Sequence, residues 1–81
     1  MIYSQHALEM MNERGIGQDD VERTVAPLYF VGYGNFGRRV YVRRYGQYGM
    51  RFVVVCSPDG NTVISVRKLP ALHGGLTKPA R

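Results

Sequence analysis

His6 stands in the first turn of a capped amphipathic helix and is one of only two histidines in the chain. Histidine alone has an ordinary pKa near neutrality, so a positioned imidazole can take or give a proton at physiological pH. The residue has a second reading, as a helix-start side chain half covered by Met10. Ser65 and Arg67 lie two apart in the run Val63-Ile64-Ser65-Val66-Arg67-Lys68. In a strand they share one side, where a guanidinium can hold a phosphate bidentately; for Arg67 a rim charge is the alternative. Arg14, inside the apolar arc of the helix, reads as a side chain that snorkels to the helix C-terminal carbonyls or to Asp20 rather than as a phosphate ligand. Cys56 reads as a small buried apolar residue, since neither a helix start nor a histidine adjoins it. His73 takes no role. One cysteine and two histidines make neither an internal disulfide nor a four-ligand zinc set. Gly32, Gly34 and Gly37 do not lead into a helix as the glycines of a phosphate loop do, and they read as a hairpin turn.

The elements that must position these residues follow from periodicity. Ser4 caps a helix over residues 4–14, Gly15 ends it, and Tyr3, Ala7, Leu8, Met10 and Met11 share its apolar arc. A second helix over 18–26 places Asp19 and Asp20 in its first turn, where the helix dipole favours acids, and Pro27 stops it. After Pro27 the period changes to two. Stretches 28–32, 38–45, 50–56 and 61–68 are rich in Val, Tyr, Phe and Ile, and short glycine-bearing links between them make neighbouring strands antiparallel. The expected fold is α+β: two N-terminal helices packed on one face of a four-stranded antiparallel sheet. It forms one domain, residues 1–69, followed by a C-terminal tail, 70–81, that is either loose or ordered by a partner.

Alternation assigns the faces. Val40 and Val42 are expected beneath the helices, leaving Arg39, Tyr41, Arg43 and Tyr45 on an open face; likewise Ile64 and Val66 are expected beneath, with Val63, Ser65 and Arg67 open. Arginines interleaved with tyrosines suit RNA, because guanidinium groups bind phosphates while aromatic rings stack on unpaired bases. The alternative is an ordinary solvated outer face. The third strand is apolar on both sides and assigns nothing.

Charge is segregated along the chain. Residues 1–27 carry five acids and two bases, net −3, whereas residues 28–81 carry nine bases and one acid, net +8. A cationic second part fits a polyanion or an acidic protein as partner, although arginine also serves solubility alone. A chain of 81 residues buries only about 60–65 per cent of its unfolded surface, so the core is thin. The opening residues lack the basic and apolar regions of a secretion signal, and no apolar run approaches the roughly 18 residues of a membrane span. The expectation is a cytoplasmic, reduced protein without membrane contact.

The pattern His6-Ala7, Met10, Arg14-Gly15-Ile16, followed by the acidic helix start Gln18-Asp19-Asp20-Val21, resembles the opening signature of the domain-of-unknown-function 4258 family. Val63-Ile64-Ser65-Val66-Arg67-Lys68 is similar to the Ile-Ser-Ala-Arg strand of BrnT-type toxins, with Val66 replacing the small alanine. Together the two matches run from residue 4 to about 68. The resemblance implies kinship with small ribonuclease toxins of the RelE kind: a cofactor-free and metal-independent endoribonuclease of a bacterial toxin–antitoxin or related conflict system, its partners RNA, ribosome-bound or free, and an acidic antitoxin protein. On that reading His6 is the proton-transfer residue, with Tyr41 as second candidate. Arg67, Arg43 and Arg39 are the electrostatic partners, and Arg39, Arg43, Tyr45, Ser65 and Lys68 line the RNA surface. The competing reading is a non-catalytic basic module that binds RNA or an acidic protein.

Overall fold

The computed structural model describes residues 1–46 and 48–70. In chain order these form β1 (Ile2–Tyr3), α1 (Gln5–Arg14), α2 (Gln18–Thr24), β2 (Phe30–Tyr33), β3 (Arg39–Tyr45), β4 (Met50–Cys56) and β5 (Thr62–Leu69), with single 3-10 turns at Pro27–Tyr29 and Asn35–Gly37. Except for Pro70, the expected tail lies outside the described residues.

Local chemistry fixes the first helix at both ends. The Ser4 hydroxyl accepts from the Ala7 N–H at 3.0 Å and donates to the Ile64 carbonyl at 3.0 Å, so one side chain caps α1 and ties it to β5. At the other end Gly15 takes the left-handed conformation (φ 65°), and the Ile16 N–H returns to the Met11 carbonyl at 2.9 Å. This is a Schellman closure, and it delivers both Met11 and Ile16 to the core. Pro27 opens the 3-10 turn that follows α2.

The sheet is five-stranded and mixed, in the order β1-β5-β4-β3-β2. It therefore differs from the expected four antiparallel strands by one short strand. Ile2 and Tyr3 pair in parallel with Thr62 and Val63 at the edge of β5, whereas the other three pairings are antiparallel. A two-residue strand carries too little pattern to be read from sequence.

Both helices lie on one face, α1 against β5 and α2 against β4 and β3. The core between them comprises Ala7, Met11, Ile16, Val21 and Thr24 from the helical side, and Tyr41, Phe52, Val54, Cys56, Val63 and Val66 from the sheet. Val63 and Val66 are three apart, yet both are fully buried, because the β4–β5 register shifts by one residue: Cys56 faces Val63 while Val55 faces Ser65. The bulge at Ile64 lets the strand turn Val66 inward and Ser65 and Arg67 outward. Val63 is thus a core residue, not an open-face one, and Ile64 is not beneath the helices.

The faces of β3 are the reverse of expectation. Tyr41 is 6% exposed and sits in the core, and Tyr45 packs against it. Arg39 and Arg43 share that helix-side face, whereas Val40, Val42 and Arg44 point to the uncovered one. Alternation finds two faces but not which of them the helices cover. Here the tyrosine rings supply the larger apolar bodies, while α2 supplies polar partners for Arg43 and the Pro58 carbonyl one for Arg39.

Candidate functional site

The uncovered face is built from cross-strand rows fixed by register: Val40, Val55 and Ser65 in one, Val42, Val53 and Arg67 in the next, then Arg44, Arg51 and Leu69. Over the first rows lies an open concavity of about 410 Å³. Valine and isoleucine side chains form its floor, and His6, Asn35, Arg38, Ser65 and Arg67 line its polar wall. His6 reaches it because the Ser4 cap holds the first turn of α1 at the carbonyl of Ile64, next to Ser65. Arg38 reaches it from the opposite side, at the end of the loop joining β2 to β3. Among the described residues no acidic side chain lines this space, so an anion placed there meets cations on two sides.

Of the residues expected at the site, His6, Ser65 and Arg67 are brought together. The others are elsewhere. Arg43 donates from Nε to the Thr24 hydroxyl at 3.0 Å and from its terminal nitrogen to Asp20 at 3.4 Å, and its guanidinium carbon lies 5.1 Å from the centre of the Phe52 ring. That is a structural role on the helix side. Asp20, one of the two partners expected for Arg14, is thereby taken by Arg43, and Arg14 is exposed at the end of α1.

Tyr45 stacks on Phe52, with ring centres 4.2 Å apart and planes 15° from parallel. Its hydroxyl is buried with no hydrogen-bond partner among the described residues. Tyr41 is across the sheet from His6 and cannot share a proton-transfer task with it. Arg39 donates to the Pro58 carbonyl at 2.8 Å and lines a smaller cleft of about 200 Å³ with Pro27, Phe30, Tyr33 and Tyr41. Lys68 stands opposite Phe52 in the register, on the helix side, and is exposed.

The sequence reading passed over Arg38 and Asn35. The doublet Arg38-Arg39 held the signal, because alternation sends its two members to opposite faces; inverting the faces assigned the site to the wrong member.

Three groups outside the concavity have displaced pKa values. Burial pushes the Cys56 thiol up, against a smaller downward pull from Arg39, so the inert core role expected for it fits the fold. Tyr3 is raised, first by burial and then by the charge of Glu22, to which its hydroxyl donates at 3.4 Å. Asp59 is lowered by the hydrogen bonds it accepts from the Ser57 hydroxyl and the Asn61 N–H. Among the described residues no group of three or more His, Cys, Asp or Glu side chains is placed to hold a metal ion, and no helix is long and apolar enough to cross a membrane.

Comparison with known families matches residues 3–67 to the one described as "Domain of unknown function (DUF4258)". The chain belongs to the DUF4258 family. The match spans α1 through Arg67 and so takes in both His6 and the Ser65–Arg67 strand. No curated protein and no solved structure matches this DUF4258 chain.

Proposed function

We propose that this DUF4258 protein is a metal-independent endoribonuclease, and that it acts as the toxin of a bacterial toxin–antitoxin or related conflict system. The observation that supports this reading is the gathering of one histidine, one serine and two arginines, His6, Ser65, Arg38 and Arg67, around a concavity on the uncovered sheet face. The kinship with RelE- and BrnT-type toxins belongs to the same proposal.

The proposed chemistry needs little beyond these groups. His6 takes the proton of a ribose 2′-hydroxyl as its oxygen attacks the adjacent phosphorus. The P–O5′ bond breaks, leaving a 2′,3′-cyclic phosphate and a 5′-oxygen that takes its proton from solvent. Arg67 and Arg38 neutralise the crowded phosphorane, in which negative charge is greatest. Ser65 donates a hydrogen bond to a non-bridging oxygen. An acidic antitoxin would silence the protein by covering the same cationic face.

A second reading, a non-catalytic basic module, is favoured by one observation: with Tyr41 in the core, His6 is, among the described residues, the sole histidine, tyrosine or carboxylate lining the concavity. Single-turnover incubation with RNA, with and without ribosomes, separates the two. The ribonuclease reading expects fragments ending in 2′,3′-cyclic phosphate and arrest of growth when the chain is expressed alone. Intact RNA and normal growth would leave the binding module.

A further inference from the structure

The loop joining β2 to β3 carries a backbone choice that packing does not explain. Phe36 has φ 62° and ψ 23°, and it is the one non-glycine residue with positive φ among the described residues. With Gly37 at φ 72° and the Arg38 N–H donating to the Asn35 carbonyl at 3.3 Å, residues 35–38 form a turn of the I′ kind. Its first central position ordinarily takes Asn, Asp or Gly. A bond from the Gly34 N–H to the Arg38 carbonyl at 2.7 Å closes the loop beneath it and holds the conformation. The ring thus placed is 83% exposed. It contributes to no core, yet the Arg38 guanidinium carbon lies 5.2 Å from its centre, and Arg38 lines the concavity.

We propose that Phe36 is a stacking platform for an unpaired nucleobase of a single strand whose phosphate is held by Arg38 and Arg67. This inference rests on the ribonucleotide reading of the concavity. Strained residues that are held by their surroundings cluster where a side chain must be presented to a ligand. An exposed ring on a hydrogen-bonded turn beside a cation offers both halves of single-strand recognition: a π-face for any base and a charge for its phosphate. The two arginines facing the concavity, with no acid beside them among the described residues, select a polyanionic strand over an apolar protein surface.

The test uses short single-stranded RNA with 2′-fluoro sugars, which cannot be cleaved through the 2′-oxygen, and a matched series with one abasic position moved along the strand. For the wild-type protein one abasic position should weaken binding about tenfold. Phe36→Asn should bind the intact strand about tenfold more weakly and lose sensitivity to that position, while Phe36→Tyr keeps both. Because Asn adopts positive φ readily, Phe36→Asn should melt no lower than wild type. The platform is overturned if Phe36→Asn binds and discriminates as wild type does, or if it abolishes self-association of the protein while leaving RNA binding intact. A wild-type protein that binds none of these strands overturns the ribonucleotide reading itself, and the platform with it; normal cleavage and binding by Phe36→Asn removes the platform alone.

Discussion

The Arg43 guanidinium donates from Nε to the Thr24 hydroxyl at 3.0 Å, and that hydroxyl in turn donates to the Asp20 carbonyl at 2.7 Å. A strand arginine is thereby locked to the last turn of α2, with its side chain only 12% exposed. Hydrogen bonds to a charged group are worth about 1.5–3 kcal/mol each when their partners are largely withdrawn from water. Arg43→Met keeps the alkyl stem and removes the donors. It should lower unfolding free energy by about 2–3 kcal/mol in urea titration and leave the RNA affinity of the folded protein unchanged. A variant of native stability that loses RNA would restore Arg43 to the binding surface.

The helices were legible because their ends are written in side chains: Ser4 caps, Gly15 closes and Pro27 stops. The strands beyond Pro27 were legible from their alternation, and so was the pairing of Ser65 with Arg67. What alternation does not encode is which face the helices take. Both sides of β3 carry residues able to pack, and the choice is made by long-range partners, Thr24 and Asp20 for Arg43 and Phe52 for Tyr45. The bulge at Ile64 is equally silent, since Val63-Ile64-Ser65-Val66 reads as plain alternation until its register with β4 is known. Hence only part of the expected set is brought together: Ser65, Arg67 and His6 share the concavity, whereas the β3 residues and Lys68 stand on the opposite face of the sheet.

Tyr45 gives the second prediction. Its ring contributes packing against Phe52, but its buried hydroxyl has no partner among the described residues and so carries a desolvation cost. Tyr45→Phe should therefore be neutral or stabilising by up to about 1 kcal/mol, seen as an unchanged or raised Tm. It should not alter RNA binding. A clear loss of affinity would show that the hydroxyl meets the ligand.

Alkaline pH should destabilise the protein. The Cys56 thiol is raised above 9.0 and the Tyr3 phenol above 10.0 in the folded state, so the unfolded chain ionises first. Stability is then level below about pH 9 and falls as pH rises through the folded values. Urea unfolding between pH 7 and 10.5 should show this decline, and Cys56→Val should make it shallower. Constant stability across that range would contradict the shifts.

Salt dependence locates the cationic surface. Binding to single-stranded RNA should weaken with salt at a slope of about −0.7 per neutralised phosphate in a double-logarithmic plot. Arg38→Ala and Arg67→Ala should each reduce that slope by about one contact, whereas Arg39→Ala should leave it intact, because Arg39 faces the helix side and donates to Pro58. Loss of slope on replacing Arg39 would place the strand on the opposite face.

Catalysis and binding separate at His6 and Arg67. His6 is exposed in the first turn of α1, where alanine costs little, so His6→Ala should fold normally and keep its affinity for uncleavable RNA. If His6 takes the 2′-hydroxyl proton, single-turnover cleavage should fall by about 10²-fold or more, because general base catalysis contributes on that scale. If Arg67 holds the phosphate in both ground and transition states, Arg67→Ala should weaken binding and slow the chemical step together. A folded His6→Ala protein that cleaves at the wild-type rate would remove His6 from the mechanism and leave the arginines to carry it by electrostatics alone.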